Sequence, residues 1–289
     1  MSNTIELAKS FVPKLDECYR LASLTSVLDG APELAKQGAN ANELIIPMMS
    51  MDGLADYSRN GGYVQGGVTM TNETVKCNFD RGRRFDVDVM DDLETAGLAF
   101  GRLSAQFIRD KVVPELDAFR FASYCGISGV TKKEETLADG AATVAALSAA
   151  VTAMDDEEVT ATGRYLFITP TLLQGINDMD TTKSKKVPEG FERVIKVPQR
   201  RFYTAIKQLS GKTGEEAGGY TKAAGAANIN FSIIQKDALI QYTKHAAPKI
   251  IAPENNPDAD AYVFGYRMVG IAKAYKNMLS GMYFSHDQA

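Results

Sequence analysis

Residues 80–124, DRGRRFDVDVMDDLETAGLAFGRLSAQFIRDKVVPELDAFRFASY, constrain the fold more than any other stretch of this 289-residue chain. Phe85, Val87 and Val89 alternate with Arg84, Asp86 and Asp88, which predicts a half-buried strand over residues 83–89. The chain then turns at Met90-Asp91-Asp92 into a helix. Leu93, Ala96, Phe100, Leu103 and Phe107 recur three or four residues apart, and Asp91, Asp92 and Glu94 bring negative charge to the positive helix N-terminus. Pro114 has no N–H to donate and would kink or restart the helix, yet Leu116, Phe119 and Ala122 resume the stripe. At about 1.5 Å per residue, a helix over 93–124 spans roughly 45–50 Å, longer than a small domain is wide. Such a helix is a spine on which other elements are laid.

Residues 1–42 carry one amphipathic helix pattern (Leu7, Phe11, Leu15, Cys18 and Tyr19), a second over 21–28, and a Gly/Ala/Asn-rich tail. This is an arm: too little to fold alone, enough to dock on something. Leu44-Ile45-Ile46-Pro47-Met48-Met49 predicts a strand, MDGLADYSRNGGYVQGG a polar loop, and residues 68–79 a second strand. Apolar parity switches within that second strand, from Val68 and Met70 to Val75, Cys77 and Phe79. The switch demands a bulge, or a strand that leaves one packing surface for another. A two-stranded hairpin is unstable alone in water, so its missing partner surface is expected on another subunit.

Beyond the spine, Leu137, Ala141, Val144, Leu147, Val151 and Met154 predict a long helix, capped by Asp139 if it starts late. Residues 164–168 then form a strand that enters a short helix through Thr169-Pro170. A strand over 229–235 followed by a helix over 237–245 repeats that order, which predicts an α/β lobe over roughly residues 130–250. Residues 180–186 and 207–225 look like loops. After a turn at 253–257, Tyr262, Phe264, Tyr266 and Met268 share one strand face, and residues 281–286 close the chain.

With 45% hydrophobic residues the chain can bury a large core, and a net charge of −4 argues against a protein whose main task is gripping nucleic acid. Three scattered cysteines, Cys18, Cys77 and Cys125, form neither a disulfide framework nor a zinc knuckle, so a reducing compartment is expected. No apolar run approaches ~18 residues and no leader pattern opens the chain, so neither a membrane span nor secretion is expected. Gly211-Lys212-Thr213 imitates the end of a phosphate loop, but Ile206 stands where that loop needs glycine. His245 and His286 sit in no metal-binding frame, and a Cys125–His245 pair competes with the commoner role of cysteine as a small buried hydrophobe. Asp86, Asp88, Asp91 and Asp92, or Asp258 and Asp260, have the chemistry to hold a hard cation, but exposed carboxylates and helix-start charges explain them more simply. Arg81, Arg83 and Arg84 lie among five aspartates between 80 and 92, which favours ion pairing within or between subunits over phosphate binding. No residues converge on a reaction: no catalytic, cofactor or metal residue is assigned.

The runs MSMDGLADYSRNGGYVQGGVT (49–69), DRGRRFDVDVMDD (80–92), VVPELDAFRFASY (112–124) and TKHAAPKIIAPENNPDADAYVFGYR (243–267), in this order, resemble the major capsid proteins of tailed bacteriophages with the Hong Kong 97-type fold, specifically a group from phages and prophages of Gram-positive bacteria. The resemblance covers about residues 5–286. It implies a mixed α/β, α+β chain with an N-terminal arm (1–42), an extended E-loop hairpin (43–80) lying over a neighbour, a P-domain with strand and spine (81–129), an A-domain (130–252) and returning P-domain strands (253–289). It also implies a non-enzymatic shell protein forming hexamers and pentamers of an icosahedral head around double-stranded DNA, without sequence-specific recognition. Such a head is assembled in the host cytoplasm with a portal. Tyr57 and Arg59 at the hairpin tip, Arg81, Arg83 and Arg84 at its base, and Asp91 and Asp92 at the spine start are the expected interface residues. Some family members crosslink through an E-loop lysine, but no lysine lies between Lys36 and Lys76. The arm of about 40 residues is too small to be a scaffold domain, so a separate scaffold protein is expected. An encapsulin-like compartment holding enzyme cargo is the alternative on the same fold, and an α/β small-molecule enzyme the remote one.

Overall fold

The computed structural model describes residues 23–30, 36–37, 43–90 and 105–288. In chain order these form β1 (Lys36–Gln37), β2 (Glu43–Met51), β3 (Val68–Lys76), β4 (Phe79–Asp88), α1 (Val113–Gly126), β5 (Thr131–Glu134), α2 (Gly140–Asp156), β6 (Arg164–Ile168), α3 (Pro170–Asp178), α4 (Thr182–Glu189), β7 (Arg193–Lys196), β8 (Ile206–Gln208) and β9 (Tyr220–Lys222). They continue with β10 (Ile229–Gln235), β11 (Leu239–Ile251), β12 (Ala261–Ala274) and β13 (Met282–His286). The chain is mixed α/β. Its strands sort into a five-stranded sheet in the order β5-β13-β10-β6-β7, a three-stranded sheet β11-β12-β4, a ribbon β1-β2-β3 and a small β8-β9 hairpin.

The expected spine is described from residue 105 onward, and Asp91 and Asp92 lie outside the described residues. As expected, the α-helix restarts at Pro114. A π-helical turn, Ile108–Val112, runs directly into α1, with Pro114 in the first turn of α1. Proline suits that first turn, where its missing N–H has no bond to lose. Two cores share the spine. Ile108, Val113 and Leu116 pack on Phe79, Phe264, Tyr266 and Met268 of the three-stranded sheet. One turn further on, Phe121, Tyr124 and Cys125 pack on Phe167, Ile234 and Phe284 of the five-stranded sheet. The opposite face of that sheet, with Leu166, Ile168, Phe231 and Ile233, is covered by Val144, Leu147, Ala150 and Leu173 of α2 and α3. With both faces covered, β6 and β10 are buried at every residue.

The parity switch needs neither a bulge nor a change of sheet: β3 keeps an unbroken register with β2, and Val75 packs on Ile240 and Ile271 from one face while Val68 and Met70 stand exposed on the other. β3 stays in the ribbon through Lys76, and β4 enters the β12 ladder at Phe79, which lies opposite Gly270. At the break, the Asn78 side chain donates to the Ala272 carbonyl and accepts from the Ala272 N–H, each at 2.9 Å, so the ladder is completed by a side chain. The Asp139 cap of α2 is also as expected, accepting from Ala142 N–H at 2.7 Å.

Other expectations need correction. The helix expected over 237–245 is a 3-10 turn, Lys236–Ala238, followed by β11. β-Branched and aromatic residues suit that strand, and its ladder with β12 runs from Leu239 opposite Ala274 to Ile251 opposite Val263. In the five-stranded sheet β10 is antiparallel to both β6 and β13, while β6–β7 and β5–β13 are parallel. The last strands also divide, β12 pairing with β4 and β11 while β13 inserts between β5 and β10. Residues 182–189 are a helix instead of a loop, started by a capping box between Thr181 and Ser184. Of the helix expected over 21–28, the described part holds a single 3-10 turn, Ser26–Leu28. Part of the loop expected over 207–225 is the β8-β9 hairpin.

Candidate functional site

The ribbon is the least covered part of the described chain. In the β2–β3 register Met49 faces Met70 and Met51 faces Val68, so these four side chains share one face. They are 59–69% exposed, on strands that among the described residues pair only with each other and with β1. Methionine and valine on a bare ribbon are anomalous for a molecule acting alone, because contiguous exposed apolar surface marks an interaction site.

Tyr57 and Arg59 fall in the loop joining β2 to β3, as expected. That loop has a defined shape. Asp52 pinches its neck, accepting from Gly67 N–H at 2.7 Å and donating its own N–H to the Gly67 carbonyl. Ser58 and Gly62 close the tip by a two-way backbone bridge, with Gly62 at φ 73°, a conformation open to glycine. Tyr57 and Tyr63 rest against each other with ring centroids 4.9 Å apart. Both rings and Leu54 remain exposed, so the tip extends the apolar face.

The arginines at the base of the ribbon act inside the chain. Arg81 donates to Glu115 of α1 at 2.8 Å and to the Leu209 and Gly219 carbonyls, tying β4, the spine and the β8-β9 hairpin together. Arg83 donates to the Glu216 carbonyl at 2.8 Å, and Arg84 pairs with Asp86 on the solvent face. Arg267 grips Asp80 with two bonds, which hold that carboxyl below its ordinary range. Asp88 accepts from Met90 N–H.

Sequence reasoning missed a buried polar cluster on the spine. Asp117, fully buried, accepts from Ser23 Oγ, Leu24 N–H, Thr25 N–H, Thr25 Oγ1 and Arg201. Arg120, 2% exposed, donates to Thr25 Oγ1, Asp29 and Thr243. Asp and Arg three apart on a helix resemble an ordinary surface pair. The one available signal was their place within an otherwise apolar stretch, LDAFRFASY.

No protein-family model matches the sequence, and no curated protein matches it. Solved structures do match. The capsid structure of Staphylococcus phage Andhra superposes with a TM-score of 0.55 at 10% identity, over 89% of this chain and 84% of that one. A Gordonia phage Cozz structure gives a TM-score of 0.59 at 10% identity, over 93% and 87%. This chain has the fold of tailed-phage capsid proteins. A virus-like particle from Pyrococcus furiosus is similar too, with a TM-score of 0.56 at 9% identity over 93% of this chain and 98% of that one.

Within this capsid fold the reactive side chains stand apart. Cys125 is sealed in the core between spine and sheet, and loss of hydration pushes its thiol up to about 11, so it is held protonated. His245 is exposed on β11, at a register shift. Among the described residues no three His, Cys, Asp or Glu side chains are grouped to hold a metal ion, and no helix is long and apolar enough to cross a membrane.

Proposed function

We propose that this chain is the shell subunit of an icosahedral phage head, closing through hexamers and pentamers around double-stranded DNA. The observation that carries the reading is the ribbon: a capsid fold from which a two-stranded hairpin projects Met49, Met51, Val68 and Met70 into solvent. Such a hairpin gains its missing cover by lying on a sister molecule. In this reading residues 43–80 are the E-loop, the spine with the three-stranded sheet forms the peripheral domain, and the five-stranded sheet with α2, α3 and α4 forms the axial domain. The apolar face supplies affinity, while Tyr57 and Arg59 at the tip fix where it lands. Arg81, Arg83 and Arg84 contribute indirectly, by stiffening the strand from which the ribbon springs. Asp91 and Asp92 remain proposed interface residues at the spine start. DNA is enclosed through the shape of the container, and a portal completes it. Likeness to phage capsids favours a virion shell over an encapsulin-like compartment.

A photoreactive amino acid in place of Met51 tests the docking directly. Under assembly conditions it should capture a second copy of the chain, and the captured peptide should map to that copy's body. Capture confined to the same chain would overturn the reading.

A further inference from the structure

The buried cluster on the spine has the anatomy of a peptide site. Residues 23–30 place two hydroxyls, one carboxylate and the apolar side chains of Leu24, Val27 and Leu28 against it. Ser23 and Thr25 donate to Asp117 at 2.9 and 2.7 Å, and the Leu24 and Thr25 N–H groups converge on the same carboxylate. Leu28, 1% exposed, enters the core beside Phe121 and Tyr124. Asp29 accepts from Arg120 at 3.2 Å and from Gln241 at 2.7 Å, while Gln241 also donates to the Thr25 carbonyl and Gly30 N–H donates to the Gln241 carbonyl.

Two features set this segment apart from an ordinary piece of core. It contributes no strand to any sheet and holds one 3-10 turn, so the sheets and helices are complete without it. Each polar wall of the pocket also has a second partner outside the segment: Asp117 has Arg201 at 3.1 Å, Arg120 has Thr243 at 3.3 Å, and Gln241 has Tyr124 at 2.6 Å. Asp117 keeps a charged partner in Arg201, whereas Arg120 gives up its ion pair with Asp29 and keeps the Thr243 hydroxyl, so release has a cost that Asp29 and the segment's hydroxyls set.

We propose that the pocket between α1 and β11 is a recognition site for the segment 23–30, and that this segment is a releasable clasp that anchors the N-terminal arm. The pattern it reads is a hydroxyl, a second hydroxyl two residues on, then a leucine and an aspartate at the fifth and sixth further positions from the first hydroxyl. The proposal stands whether or not the chain forms a shell.

Hydrogen exchange on the full chain, with a fluorescent synthetic peptide of residues 23–30 as probe, tests it. The clasp should exchange as a unit at least tenfold faster than β6, and Thr25→Val should raise its exchange about tenfold more while β6 stays unchanged. The Thr25→Val chain, whose pocket is vacated more often, should bind the wild-type peptide at least tenfold more tightly than the wild-type chain does, and a peptide carrying Asp29→Ala should bind at least tenfold more weakly. Clasp amides that exchange together with β6, or peptide binding to neither chain, would overturn the proposal.

Discussion

Met70→Asp tests the ribbon most sharply, because its consequences for the isolated subunit and for assembly diverge. Met70 is 69% exposed and faces Met49, 59% exposed, across the ribbon. Covering the exposed part of one such side chain is worth ~1–2 kcal/mol. A carboxylate carried into the same contact unpaired adds a desolvation cost of at least ~2–3 kcal/mol. The sum, ~4 kcal/mol per docked ribbon, weakens each pairwise contact about 1000-fold. Thr69→Asp is the control: it adds the same charge one residue away, on the opposite face of the same strand, where Thr69 faces Ser50. Both sites are exposed, so the melting temperature of the isolated subunit should hold in each variant, with stability changes within about 0.5 kcal/mol. Gradient sedimentation should find Thr69→Asp in particles and Met70→Asp in free subunits. Equal assembly of the two variants, or equal failure, would refute a face-specific contact.

Two further outcomes follow from local geometry. Gly140→Ala should lower the melting temperature by roughly 2–5 °C, since ~1–3 kcal/mol of overpacking is expected. Its Cβ would stand 2.2 Å from the Gly175 carbonyl oxygen, where α2 meets α3, whereas Gly126→Ala enters open space and should be neutral. In the β8-β9 loop, Lys207 and the Ser210 N–H hold the Glu215 carboxyl down to about 2 from an ordinary 4.5, and the Gly214 N–H lowers Glu216. A lowered carboxyl stabilises the fold above its ordinary value and loses that contribution as pH falls through the depressed one. The amide resonances of Ser210 and Gly214 should therefore shift below pH 4.5, that of Ser210 as pH falls through about 2, and Glu215→Gln should abolish the Ser210 transition while sparing that of Gly214.

Local patterns were readable wherever one residue's surroundings decide its conformation. The Asp139 cap, the Thr169-Pro170 helix entry and the parity change between Met70 and Val75 all lie in that class. The parity change was the most informative, because it recorded the two faces of one ribbon strand, buried at Val75 and bare at Val68 and Met70. Residues 237–245 failed for the opposite reason. Asp237 followed by apolar residues imitates a helix start, but the competing strand is secured by partners in residues 269–274, far along the chain. The π-turn before Pro114 and the clasp on Asp117 were hidden likewise, since both depend on neighbours that no sequence period encodes. Of the residues expected at an interface, Tyr57 and Arg59 stand in the exposed tip loop, whereas Arg81, half-buried, and Arg83, on the surface, donate to carbonyls of a hairpin more than a hundred residues away in sequence.

Electron microscopy of the purified chain under assembly conditions tests the central claim most directly. The account predicts closed, regular particles in which each ribbon lies against a neighbouring subunit. A population of monomers alone, with residues 43–80 folded back onto their own body, would contradict it.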